Sequence, residues 1–369
     1  MGLKIYSSAL AQNEPCSHSI KKSLEGVLSD RVCGVVVCGT SEGVEYHRLL
    51  DEIRSAVCES LGKRVPVTLI PQYLLPEGGL SLDIYTIDGD FDICIKENNG
   101  VCYGLIESSN ESLLFVEGIT SSDFSESVRL QSDEVFAKLD GILSRHGFEV
   151  DDIVRQWNYI GNIVSCRCGK QNYQEFNDAR SDYYGKAEWR NGYPAATGIG
   201  AAFDGIVVGA IALKGVDGCV YPIDNPLQVA AHVYSKSVLI DDGQNAVKST
   251  PKFERAKLIE SENGVCCFVS GTAAIRGEAS MNASSARLQT IQTIENIEHL
   301  VSKENLVRFG CKPYELKYVQ LQVFIKNKED YEAVRSEVER AIPNVHTVYS
   351  LADVCRGELL VEIEGILTL

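Results

Sequence analysis

Arginines, a tyrosine-bearing helix face and a few isolated carboxylates are the residues of this chain best suited to chemistry. In YQEFNDARSDYY (173–184), Tyr173, Asn177, Arg180 and Tyr184 recur at spacings of four, three and four, so a helix brings them to one face. A phenol, an amide, a guanidinium and a second phenol make a poor apolar stripe but a good lining for an anionic pocket. The bland alternative is an exposed helix followed by a loop. A second arginine, Arg255, lies in PKFERA (251–256), and Arg155 and Arg356 are further candidates. A guanidinium fork matches a carboxylate bidentately, so arginine suits an anionic ligand of that kind. YPAATGIG (193–200) adds small residues before an apolar run, and backbone amides near Gly198 and Gly200 could hold a carboxylate. It is no phosphate loop, because the Lys-Ser/Thr ending is missing.

Something must hold these residues together. Strand-like runs fall at 32–37, 65–70 and 91–95, and a helix is expected over 46–61, where Leu49, Ile53, Val57 and Leu61 are four apart. His47 on that helix reads as a surface or packing histidine. From about residue 98 one order of elements occurs twice. The first copy has a strand at 113–116 leading into Gly118, then a helix over 125–145 with Val128, Leu130, Val135, Leu139 and Leu143 inward. A strand at 153–160, the Tyr173 helix and strands at 195–200 and 206–213 follow. The second copy has a strand at 265–269 leading into Gly271, then a helix over 284–301 with Leu288, Ile291, Ile294, Ile297 and Leu300 inward. An alternating strand through Val319, Leu321, Val323 and Ile325 comes next, then a helix carrying Tyr331, Val334 and Val338, and strands at 345–351 and 359–367. Each copy reads close to ββαβαββ, which predicts an α+β fold with helices on one sheet face. The expected organisation is an N-terminal domain over 1–215, made of a divergent segment 1–97 and a first unit of about 98–215, and a C-terminal domain over 216–369.

Composition narrows the function classes. The 369 residues suffice for roughly two domains with cores, and the apolar fraction of 44% is ordinary. No apolar run reaches the ~20 residues that span a bilayer, and the N-terminal residues lack a signal-peptide pattern, so no membrane partner is expected. The 13 cysteines are scattered without a C-x-x-C, and Cys166 and Cys168 are too close together for a zinc pair. Reduced, mostly buried thiols in a cytoplasm are expected. No His/Cys/carboxylate set has ligand spacing, so neither metal nor organic cofactor is implied. A net charge of −16 with no basic stretch argues against nucleic acid. It leaves room for a small anionic ligand, because a few arginines reverse a local field.

Several motifs occur together: RQWNYIGNI (155–163), YQEFNDAR (173–180), YPAATGIG (193–200), Gln228 with Tyr234, PKFERA (251–256), FVSGTAAIRGEAS (268–280) and ADVCRGELLVEIEGI (352–366). The combination resembles the chorismatases, enzymes built from two RidA/YjgF-like halves with β-α-β-α-β-β order. The likeness is good from about residue 113 onward. It implies hydrolysis of the enol ether of chorismate, releasing pyruvate and a cyclohexadiene or hydroxybenzoate carboxylate. It also implies a substrate site drawn from Tyr173, Asn177, Arg180, Tyr193, Thr197, Gly198, Gln228, Tyr234, Arg255, Thr272 and Arg356. The reaction needs a carboxylic acid of raised pKa to protonate the methylene carbon. In the family pattern the strand after S-G-T ends in Gly-His-Glu, and the Glu is the acid. This chain has Gly277-Glu278-Ala279, which departs from the pattern by one residue and leaves two candidates, Glu278 and Glu362.

Two other readings stay open. One is an enamine or imine hydrolase of the RidA kind, although His346 and Thr347 stand near where RidA proteins place a binding arginine. The other is a binding protein for a small carboxylate that has lost the acid. RidA proteins are trimers, so a homotrimer and a pseudo-oligomeric monomer are both expected possibilities.

Overall fold

The computed structural model describes residues 2–10, 15–40, 44–167, 169–215, 219–233 and 249–369. The chain begins with β1 (Leu3–Leu10), α1 (Cys16–Ser23), β2 (Val32–Thr40), α2 (Tyr46–Leu61), β3 (Val67–Ile70), β4 (Tyr73–Leu74) and β5 (Gly79–Ile87), of which four strands form the first sheet in the order β1-β5-β2-β3. The second comprises β6 (Asp92–Asn98), β7 (Val101–Glu107), β8 (Ser112–Thr120), α3 (Val128–Arg145) and β9 (Ile153–Gly161). It continues through a short hairpin of β10 (Cys166–Arg167) and β11 (Lys170–Gln171), then α4 (Asn172–Tyr184), β12 (Ala195–Ala201) and β13 (Ile206–Lys214). The third contains β14 (Val220–Ile223), β15 (Ala256–Ser261), β16 (Gly264–Ala273), the hairpin β17 (Ile275–Arg276) and β18 (Ala279–Ser280), α5 (Ala286–Leu300) and α6 (Lys303–Arg308). β19 (Lys317–Ile325), α7 (Tyr331–Ala341), β20 (Thr347–Leu351) and β21 (Val361–Thr368) complete it.

The second sheet has the order β12-β9-β13-β8-β7-β6 and the third β20-β19-β21-β16-β15-β14, with β4 added beyond β20. Strand for strand these are the same sheet, and each has its one parallel pair at the same place, β9 with β12 and β19 with β20. The first sheet, read as β3-β2-β5-β1 with β2 and β3 parallel, repeats that order without the two outer strands. The N-terminal segment, expected only as an additional piece, is therefore a shortened third copy.

Each sheet buries one face under its own helices. Ile53 and Val57 cover the first, Val135, Leu139 and Phe176 the second, and Ile294, Ile297 and Val334 the third. The opposite faces meet in a shared core that includes Tyr85, Phe115, Trp157, Phe268 and Phe324. Helix starts are fixed by side-chain caps, Ser127 accepting from Leu130 N and Ser285 from Leu288 N. Two leucines expected inward are exposed, Leu130 at 54% and Leu288 at 45%. Leu130 lies about 200° around the helix from Val128 at 100° per residue, off the buried stripe, and Leu288 is offset by the same angle from the buried Ala286 of α5. Among the described residues no helix is long and apolar enough to cross a membrane, and every described cysteine is a free thiol.

The junctions between sheets each bury a carboxylate. Glu117 on β8 accepts from Thr68 Oγ1 at 3.0 Å, Asp83 on β5 from Gln320 Nε2, and Glu364 on β21 pairs with Arg155 at 2.7 Å. Burial pushes Glu117 up to about 8 from an ordinary 4.5. Its folded form thus keeps a proton that the unfolded chain releases between those values, so its contribution to stability falls as pH rises through that window and levels off above it. Glu117→Gln is expected to leave the unfolding midpoint nearly unchanged at pH 5 and to stabilise the protein by roughly 4 to 5 kcal/mol at pH 9, as a rise from 4.5 to about 8 implies. Thermal melts at the two pH values check this, and equal shifts at both would remove the titration from the explanation.

Candidate active site at a sheet junction

The second and third sheets join along the edge strand β12. Ala196 N donates to Ser270 Oγ at 2.9 Å, Ser270 Oγ to Glu254 O at 2.6 Å, and Gly271 N to Thr197 Oγ1 at 3.0 Å. Ser270 and Gly271 form a bulge in β16, because the pairing with β21 shifts register between Val269 and Thr272. A bulge re-aims backbone and side chains at a sheet rim, here at the junction itself. The cavity that results is bounded by α4, β12, this bulge, the 251–255 strap and the 355–362 segment, and has a volume of about 100 Å³.

Helix α4 presents Tyr173, Asn177 and Arg180 to the cavity, as their spacing predicts. Arg180 is 2% exposed; its Nη2 donates to Asn177 Oδ1 at 2.6 Å and its guanidinium lies 5.6 Å from the Phe176 ring centre. No carboxylate pairs with it among the described residues, and its Nε has no hydrogen-bond partner there. Arg255 enters from the strap, held by Val229 O at 3.0 Å and lying over the Phe253 ring. Arg356 enters from the far side, donating to Glu278 O at 3.0 Å. Three cations on three separate elements thus face one space.

Glu362 on β21 closes the wall. Its carboxyl rests against Gly271, where any added Cβ would collide with it, so the glycine of S-G-T makes room for the acid. Burial raises the Glu362 pKa from 4.5 to about 8, and the neighbouring Glu364 charge pushes the same way; Arg255 and Arg155 pull against them. Cys355 faces Tyr173 and Glu362, and burial holds its thiol protonated, pushed up to about 12.

The cavity therefore brings together Tyr173, Asn177, Arg180, Gly198, Arg255, Arg356 and Glu362. Thr197 lies behind the wall, bonded to Arg155, Glu364 and Gly271 N, and Arg155 is occupied there by Glu364. Thr272 donates to Ser270 O, and Gln228 supports the β17–β18 hairpin through Ile275 O. Tyr193 packs on Trp189, Tyr184 and His232 outside the lining. Gly200 N donates to Asp353 O at 2.9 Å, so that amide is spent on the fold and does not hold a carboxylate. Glu278 sits in the two-residue turn of the hairpin, after Gly277 at φ 59, and does not line the cavity. Tyr234 and Cys168 lie outside the described residues. Gln174, Phe253 and Cys355 line the cavity without having been singled out from sequence. Phe253 stands two residues before Arg255, and Cys355 seven before Glu362, inside motifs already recognised.

Residues 95–212 match the family model described as chorismatase FkbO/Hyg5-like, N-terminal. A 3-hydroxybenzoate synthase of Streptomyces hygroscopicus is 34% identical over 228 residues, 59% of this chain and 64% of that protein. A chorismatase of Streptomyces rapamycinicus is 32% identical over 222 residues, 58% of this chain and 63% of that protein. The chain thus spans a little under two thirds of the length of these relatives. A crystal structure of a chorismatase superposes with a TM-score of 0.72 over 99% of both chains at 21% identity, which is a likeness of fold.

Proposed function

We propose, from its likeness to the chorismatases, that this chain hydrolyses the enol ether of chorismate or a close analogue, with Glu362 as general acid. The observation that carries this reading is a single carboxyl of raised pKa in the same cavity as Arg180 and Arg255. Chorismate carries two carboxylates, one on the ring and one on the enolpyruvyl arm. Arg180, Arg255 and Arg356 supply the charge to hold both, and Tyr173 and Asn177 border the same space. Protonated Glu362 gives its proton to the methylene carbon, and the adjoining carbon becomes an oxocarbenium centre. Water adds there, and the Glu362 carboxylate takes up the proton that this water releases. The hemiketal then collapses to pyruvate and a dihydroxycyclohexadiene carboxylate. Loss of a ring hydroxyl and a ring proton as water from the diene diol would instead leave a hydroxybenzoate, with no net water consumed.

The binding-protein alternative rests on a missing acid, and a carboxyl at Glu362 removes that ground. The imine-hydrolase alternative lacks its arginine: His346 contacts Ser81 Oγ at 3.3 Å, at a different junction. Three sheets of one strand order in a single chain favour a pseudo-oligomeric monomer over a homotrimer, with a domain boundary near 215/216, and free thiols favour a cytoplasmic setting.

Incubation with chorismate, following pyruvate and the ultraviolet spectrum of the second product, tests the proposal; no pyruvate from folded protein would overturn it. Glu278→Gln is expected to keep kcat within about threefold, as for a side chain away from reacting atoms. A loss of 100-fold or more in that variant, on the scale of a general acid, would move the acid back to Glu278.

A further inference from the structure

Beneath Glu362 lies a network that the proposed chemistry does not touch directly. Glu364 is two residues along β21, so alternation places both carboxyls on the same inward face. Arg155 Nη2 donates to Glu364 Oε2 at 2.7 Å and to Thr197 Oγ1 at 2.9 Å, and Thr197 Oγ1 donates in turn to Glu364. The same Thr197 oxygen accepts from Gly271 N at 3.0 Å. Arg155 and Glu364 are 2% and 3% exposed at their side chains, and Trp157 covers the guanidinium at 4.6 Å. The bulge at Ser270 and Gly271 faces Glu364 across the β16–β21 pairing. A buried ion pair is seldom a net source of stability against apolar replacements, which makes its place directly under a proton donor informative.

We propose that Glu364, held by Arg155 and Thr197, is a positioning residue that keeps Glu362 protonated and fixes the Gly271 bulge on which the Glu362 carboxyl rests. The inference rests on Glu362 being the acid. A second carboxylate on the same strand face disfavours ionisation of the first, and the Arg155 guanidinium holds Glu364 in place at 2.7 Å. The other groups facing Glu362 are Arg255 from the strap, Tyr173 and Arg180 from α4, and Cys355 and Arg356 from the 355–362 segment. The arginines favour the ionised form, so removing the Glu364 charge leaves burial alone to oppose them and Arg155.

The test is Glu364→Gln, read two ways. In the kcat/KM profile with chorismate, the alkaline limb set by Glu362 is expected to move down by about one pH unit or more. Independently of turnover, ¹³C carboxyl NMR of glutamate-labelled protein, with the Glu362 signal assigned by its loss in Glu362→Gln, is expected to show the same downward shift. An unmoved Glu362 titration overturns the inference even where wild-type turnover upholds the acid assignment. Absence of turnover in the wild type indicts the activity alone, because the NMR titration still reads the coupling. If Glu364→Gln does not fold, Thr197→Val carries the test. It cuts the tether to Gly271 N and leaves both charges, so kcat should fall about tenfold, the loss of a buried hydrogen bond to a charged group, with the alkaline limb unmoved. Unchanged kcat in that variant overturns the positioning role.

Discussion

Glu362→Gln is expected to lower kcat for pyruvate release by about 1,000-fold, in the range of a lost general acid, while chorismate still binds. Glutamine keeps the size of the side chain over Gly271 and cannot give a proton to carbon. Because the wild-type group is raised to about 8, it stays largely protonated at neutral pH, as the proposed donor must. The wild-type rate should therefore hold through pH 7 and decline as pH rises through about 8, where Glu362 ionises. The same shift has a stability consequence of fixed sign. The folded chain holds a proton that the unfolded chain releases above about 4.5, so the wild type loses stability between roughly pH 4.5 and 8. Glu362→Gln should be the more stable protein at pH 9 and the less active one throughout. Stopped pyruvate assays across pH and thermal melts of both proteins provide the measurement. A variant as active as the wild type at pH 6 would require another proton source.

Arg180→Met is the second large effect. Arg180 is a buried cation without a carboxylate partner among the described residues, positioned by Asn177 and stacked near Phe176. Holding such a charge away from water is costly, and an anionic ligand removes the cost. The substitution is expected to reduce kcat/KM for chorismate by about 100-fold, the scale of losing one partner of a desolvated charge pair. The unfolding temperature of the ligand-free protein should rise by about 2 °C, since an apolar chain of similar length now fills the site. Arg180→Lys should recover little activity, because an ammonium cannot supply the bidentate fork. Steady-state kinetics and melts with and without ligand check both halves. A variant with normal kcat/KM would place the ligand carboxylates on Arg255 and Arg356 alone.

Local pattern made part of this site legible. The spacing of Tyr173, Asn177 and Arg180 fixed one helix face, and that face lines the cavity. The repeated element order identified two like sheets. The shortened copy at the N-terminus escaped notice because its strands carry no motif, and only pairing order reveals the kinship. Leu130 and Leu288 show the limit of composition, since an apolar residue in a helix still needs the right angle to be buried.

The sequence by itself determined the elements, their faces, the family likeness and a short list of acids and cations. These are local properties, set by periodicity and by residue type. Only tertiary structure shows that Glu362 lines the cavity and Glu278 does not, because that depends on a two-residue turn after Gly277 and on which strand meets the cavity. It also turned Thr197 and Arg155 from ligand-facing candidates into supports. Their partner Glu364 lies 209 residues from Arg155, a contact that no periodicity encodes. It exists because the edge of one sheet closes against the bulged strand of the next.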